Sequence, residues 1–192
     1  MRAIATRSSR DGAGPTVIFT PAVLGGAWVI DMTPAADERG LFARSFCAAE
    51  FAAQGLTAPV NQCSVSFNSR RATLRGLHFQ AEPHAEEKLV RCTSGAIFDV
   101  IADLRPESST YRQWFGIDLT AANRRALYVP RGVAHGFVSL VDGSEVLYMM
   151  SAAFAPDAAR GVRWNDPALA IRWPLQPLII SARDAAYPLL DS

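Results

Sequence analysis

Lys88 is the only lysine in the chain; eighteen arginines supply every other basic side chain. It lies ten residues after His78, in the segment Leu74-Arg75-Gly76-Leu77-His78-Phe79-Gln80 … Glu87-Lys88-Leu89-Val90-Arg91. An ammonium is a compact point charge that can hold one developing oxyanion, whereas a guanidinium is a planar fork suited to phosphate. Histidine exchanges protons near neutral pH. A histidine, a lone lysine and a nearby arginine are therefore the parts for pulling a proton off carbon beside a carbonyl and holding the enolate that results. On residue type alone, an ordinary surface lysine accounts for Lys88 equally well.

The other chemistry-bearing residues are few. His135 lies in Pro130-Arg131-Gly132-Val133-Ala134-His135-Gly136-Phe137, a tight turn entering a strand, between small residues that let a ligand approach. His84, beside Pro83 and Glu86-Glu87, reads as a solvated loop residue. Taken singly, His78 and His135 fit core histidines with satisfied hydrogen bonds. Arg75, Arg91 and Arg39 are candidates for bidentate phosphate contacts, and Arg70-Arg71 reads as a solvated turn. Tyr148 sits on an otherwise apolar strand, so its hydroxyl needs a partner if buried. A metal site is disfavoured: no H-x-H pair occurs, because position 80 is Gln80, and Lys88 would repel a cation. Glycine-rich phosphate loops and nucleophile elbows are absent.

The elements that must position these groups are mostly strands. Thr16 to Thr20, Ala27 to Met32, Trp114 to Leu119 and Ala126 to Val129 have strand composition, and Asp37-Glu38-Arg39-Gly40 is a turn. Arg44 to Ala53, closed by Gly55, is the best helix. Ala96 to Leu104 alternates: Phe98, Val100, Ala102 and Leu104 on one face, Asp99, Ile101 and Asp103 on the other. Solvent is the ordinary destination for two such aspartates, although Asp99 faces a cavity if that side packs on a second sheet. Asp142-Gly143 between Val138-Leu140 and Val146-Tyr148 marks a hairpin. The proline-bearing tail from Ala153 reads as irregular with one or two short turns. Short strands at near-regular spacing predict an all-β sandwich or barrel.

The chain of 192 residues fits one domain, expected over residues 15–192, with residues 1–14 a flexible N-terminus. A net charge of +1 excludes the basic face of a nucleic-acid binder and a polybasic membrane patch. No apolar run reaches membrane-spanning length, and no secretory signal is visible. Cys47, Cys63 and Cys92 are widely spaced and odd in number, against a disulfide framework, so a cytoplasmic location is expected.

Six motifs in chain order carry a more specific reading: Arg75-Gly-Leu-His-Phe-Gln80, Lys88-Leu-Val-Arg91, Phe98-Asp-Val100, Pro130 to Phe137, Trp164-Asn-Asp-Pro167 with Ile171-Arg-Trp-Pro174, and Ser181-Ala-Arg-Asp184. Together they resemble the dTDP-4-dehydrorhamnose 3,5-epimerase family, and Asp37-Glu-Arg-Gly40 with Phe42 matches its N-terminal motif. The resemblance implies a cupin-type jelly roll with a few short helices, a homodimer whose N-terminal strands join the partner's sheet, and no metal or organic cofactor. It implies a dTDP-4-keto-6-deoxy sugar substrate whose C4 ketone acidifies the protons at C3 and C5. By that resemblance His78 is the base, oriented by Asp184; Lys88 holds the enolate oxygen; and Tyr148 returns a proton from the opposite face. Arg75 grips the diphosphate, with Arg39 reaching in from the partner subunit. Phe42, Asp99, His135, Gln62 and Asn68 complete the substrate-binding set, with the residue that reaches the sugar left open among Gln62, Ser64 and Asn68.

The chain departs from the family pattern at three places. Ala153-Phe154 precedes Pro156 where two tyrosines are usual, Gln62 to Asn68 has a shifted register, and Ala159 stands near a usual glutamate. Epimerisation at one centre only, C3 or C5, is the alternative these changes raise. A metal-dependent cupin enzyme and an inactive sugar-nucleotide-binding subunit are the readings from other classes.

Overall fold

A computed structural model describes residues 16–57 and 60–191; the expected flexible segment 1–14 lies outside the described residues. In chain order the strands are β1 Val17–Pro21, β2 Trp28–Met32, β3 Ala35–Asp37, β4 Gly40–Phe42, β5 Gln62–Asn68, β6 Thr73–Gln80 and β7 Lys88–Ser94. They continue with β8 Ala96–Asp103, β9 Trp114–Thr120, β10 Ala126–Val129, β11 Val133–Ser139, β12 Ser144–Met150, β13 Ala159–Gly161 and β14 Ile179–Ile180. Helices are α1 Ala48–Ala53, α2 Ala182–Ala185 and one 3₁₀ turn, Pro156–Ala158.

Two sheets form a jelly-roll sandwich. The first runs β1-β2-β10-β7-β12-β5, and the second runs β13-β6-β11-β8-β9, with β14 parallel to β6. Period-2 alternation decides what lies between them. Val90 and Cys92 of β7, Ile97 and Ile101 of β8, Phe137 of β11 and Val146 of β12 meet in the inter-sheet core. Leu89 of β7 points the other way, under α1, where Phe51 packs with Phe19, Phe46 and Tyr128.

The expected strands and the 37–40 turn are present, but the 142–143 turn is not the expected hairpin: it carries the chain from β11 in the second sheet to β12 in the first, and the two strands do not pair. The helix is shorter than its composition suggests. Cys47 is extended at the cap, Arg44 lies outside and pairs with Glu50, and Glu50 also accepts from Val17 N–H at 2.9 Å. Those bonds use residues 44–47 to tie the helix to β1 rather than to lengthen it.

The larger correction concerns β8, because Asp99 and Asp103 are both fully buried. Both faces of this strand are covered. Asp99, Ile101 and Asp103 lie between the sheets, and Val100 and Ala102 are roofed by Val162, Leu169, Ile171, Trp173 and Leu190 of the tail. The tail also contributes β13 and β14 to the edge of β6, which its proline content does not suggest.

Candidate active site

One end of the sandwich opens into a cavity of about 470 Å³ between the sheets. The second sheet supplies Arg75 and His78 from β6 and His135 from β11; the first supplies Lys88 from β7, Tyr148 and Met150 from β12, and Gln62, Ser64 and Ser66 from β5. Strand alternation explains the β5 set, since Cys63, Val65 and Phe67 between them are exposed on the outer face.

β6 and β11 approach unusually closely here. A Cβ on Gly76, whose φ is +127°, would sit 2.5 Å from Gly136 Cα. Only two facing glycines permit that contact, and the register it sets pairs His78 with His135.

His78 Nε2 lies 2.8 Å from Asp184 Oδ1, and the other carboxylate oxygen accepts from Gly76 N–H at 3.2 Å. Asp184 is placed by α2, whose N-cap Ser181 accepts from Asp184 N–H at 3.0 Å. Burial works to raise the Asp184 carboxyl, but the bonds from His78 and Gly76 outweigh it and hold it below its ordinary value. An ionised Asp184 accepts a hydrogen bond from Nε2–H, so the lone pair of a neutral His78 sits on Nδ1. The imidazole is about two-fifths exposed towards the cavity. Tyr187 meets its ring edge-on at 5.7 Å.

Lys88 has a side chain only 10% exposed. Its ammonium donates to the carbonyl of His78 at 3.1 Å and forms an ion pair with Glu86 Oε1 at 2.9 Å. Across the cavity, His135 Nε2 lies 2.7 Å from Asp99 Oδ1, and the His135 ring meets Tyr148 edge-on at 5.9 Å. Burial pushes the Asp99 carboxyl up against the pull of His135. Burial, with the Asp99 charge adding to it, also pushes the Tyr148 phenol well above its usual range, so the hydroxyl keeps its proton.

The sequence-predicted residues divide into three groups. His78, Lys88, Tyr148, His135, Arg75 and Gln62 all line the cavity. Asp184, Asp99 and Asn68 stand behind it: Asn68 is buried, accepts from Arg75 Nε at 2.8 Å and donates to Ser144 O at 3.1 Å. Asn68 therefore sets Arg75 in place, while Ser64 and Ser66 are the β5 residues beside Gln62 that reach the cavity. Gln62 accepts from Phe154 N–H at 3.0 Å and so tethers the segment that departs from the family pattern. Arg39 and Phe42 are on the exposed β3–β4 hairpin, outside their own cavity, with Arg39 paired to Asp37.

Arg91, a phosphate candidate by residue type, faces outward and donates to the carbonyls of Ser45 and Arg124. β7 alternation turns it away from Lys88, and burial lowers its guanidinium to about 10. Glu86, Gln80, Arg160 and Arg183 line the cavity without having been singled out by sequence. Glu86 had a signal: two residues before Lys88, it shares that residue's face if the strand geometry begins early. Among the described residues no cluster of three His, Cys, Asp or Glu side chains could hold a metal ion, and both cavity imidazoles are committed to carboxylates.

A family model described as dTDP-4-dehydrorhamnose 3,5-epimerase matches residues 21–192. The chain belongs to that family. It is 45% identical to the Salmonella typhimurium dTDP-4-dehydrorhamnose 3,5-epimerase over 157 residues, covering 81% of this chain and 85% of the relative. The Bacillus anthracis epimerase, solved with TDP and PPi bound, superposes with a TM-score of 0.87 at 40% identity, covering 92% of this chain and all of that one. The Streptomyces bikiniensis 3'-monoepimerase ChmJ, in complex with dTDP-quinovose, gives a TM-score of 0.82 at 33% identity, covering 89% and 87%.

Proposed function

We propose that this chain epimerises dTDP-4-dehydro-6-deoxy-glucose at C3 and C5, the two carbons flanking its C4 ketone. The observation that carries the reading is the joined set in one cavity: the His78–Asp184 pair, Lys88 bonded to the His78 carbonyl, and a protonated Tyr148 from the facing sheet. His78 Nδ1 takes the proton from the ring carbon, and Asp184 stabilises the imidazolium that forms. Lys88 holds the charge that moves to the C4 oxygen, in a site where a fixed ammonium needs no reorganisation. Tyr148 gives its proton to the other face of the planar carbon, inverting it. Phenolate and imidazolium then exchange protons through solvent, which leaves the enzyme as it began. Arg75, fixed by Asn68, meets the diphosphate bidentately.

The active unit in this proposal is a homodimer in the cytoplasm. β1 pairs with β2 of its own chain, so the exchanged element is the exposed β3–β4 hairpin, which carries Arg39 and Phe42 into the partner's cavity. The exposed Val65 and Phe67 on the outer face of edge strand β5 supply an apolar contact for the partner. The match of residues 21–192 to the family model described as a 3,5-epimerase supports inversion at both centres. Supplying dTDP-4-dehydro-6-deoxy-glucose and trapping the product with a 4-reductase tests this. A rhamnose-configured product is expected; a product inverted at one carbon only contradicts it.

A further inference from the structure

Lys88 has three N–H donors, and one goes to the backbone carbonyl of the proposed base, His78, at 3.1 Å. Glu86 Oε1 holds the same ammonium from another side as an ion pair at 2.9 Å. The N–H groups not taken by His78 are left for a ligand in the cavity that both Lys88 and Glu86 line. Glu86 is a costly residue in this place. Its side chain is 5% exposed, and Oε2 is buried with no hydrogen-bond partner among the described residues. A half-satisfied buried carboxylate destabilises a fold, and such residues persist where they serve a site.

We infer that Glu86 is a positioning residue whose charge fixes the Lys88 ammonium, so that an N–H not taken by His78 points at the enolate oxygen of the substrate. The His78 carbonyl sets how far the ammonium sits from the base, and Glu86 sets its direction. Without Glu86 the flexible four-carbon stem lets the ammonium rotate away, and the electrostatic hold on the transition state is lost before the hold on the nucleotide. This inference rests on the epimerase reading for its catalytic consequence, but its geometric half can be read without turnover.

Because Lys88 is the only lysine, protein labelled with ¹⁵N-lysine gives one side-chain ammonium signal. In the wild type that signal is expected to be protected from exchange. Glu86→Ala should lose the protection and lower kcat roughly 100-fold, the scale of a misplaced catalytic group, with KM, TDP affinity and Tm close to wild type. Glu86→Gln, which keeps an acceptor oxygen, should recover most of both losses. The inference is overturned by Glu86→Ala with a wild-type signal and kcat, by a loss of kcat tracking a fall in Tm or TDP affinity, or by Glu86→Gln as impaired as Glu86→Ala. Protection lost in Glu86→Ala while the wild type fails to turn over the ketosugar would retain the Lys88 anchor and reject the epimerase reading.

Discussion

Asp99 and Asp103 stand four residues apart on β8, on the same face, and both are fully buried. Asp103 lies at the end of β8 away from the cavity and accepts five hydrogen bonds, from Arg105 N–H, Nε and Nη2 and from the hydroxyls of Ser108 and Thr110. Burial works against its ionisation, but these donors outweigh it and hold the carboxyl far below its ordinary value. Asp99, at the cavity end, has His135 on one oxygen and no partner on the other among the described residues. Its carboxyl is pushed up instead. Both side chains are out of contact with solvent, but Asp99 lies deeper in the protein, so heavier desolvation and fewer donors together push its carboxyl up while Asp103 is held down. One end of the sandwich is built to be satisfied; the other carries unsatisfied groups that a substrate can use.

Breaking each end should give different losses. The largest expected effect is at the cavity: His78→Ala should lower turnover roughly ten-thousand-fold while TDP binding and Tm are retained, as measured by kinetics and calorimetry. Substantial activity in that variant removes His78 as the base. At the other end, Asp103→Asn should cost roughly 3 kcal/mol, or about 10 °C in Tm, with the folded enzyme still active. The pH dependence sharpens this. A carboxyl whose folded value lies below its unfolded one contributes fully above the ordinary carboxylate range and loses that contribution as acid protonates the folded form. The Asp103→Asn deficit should therefore be widest near neutrality and narrow below about pH 4. The smallest effect is expected for Asp99→Asn: about tenfold in turnover, ~1.4 kcal/mol, from a loosened His135. Its Tm at neutral pH should hold or rise, because the raised Asp99 carboxyl costs stability there and the cost fades in acid. A large loss of Tm in this variant would erase the contrast between the two ends.

The β8 alternation was legible in sequence, but its destination was not. Phe98, Val100, Ala102 and Leu104 look like the only buried face because the segment that covers them, around Val162 to Trp173, has no period of its own. With the tail covering that face, the aspartate face is the one that packs against the first sheet. The same gap hid β13 and β14, whose partner is a strand about eighty to a hundred residues earlier. His78, Lys88, Tyr148 and Asp184 were singled out by resemblance to the family's motifs; nothing local brings Asp184 to His78, which takes α2 docked on β6. Arg91 misled because residue type carries no facing. Asn68 was singled out as a substrate contact, yet its hydrogen bond to Arg75 places it behind the cavity wall.

The central claim, proton removal by His78 with Lys88 steadying the oxygen beside it, is tested most directly in D₂O. Incubated with dTDP-4-dehydro-6-deoxy-glucose, the enzyme is predicted to place deuterium at both C3 and C5, read by mass spectrometry and NMR. Recovered sugar with no label at either carbon would contradict it.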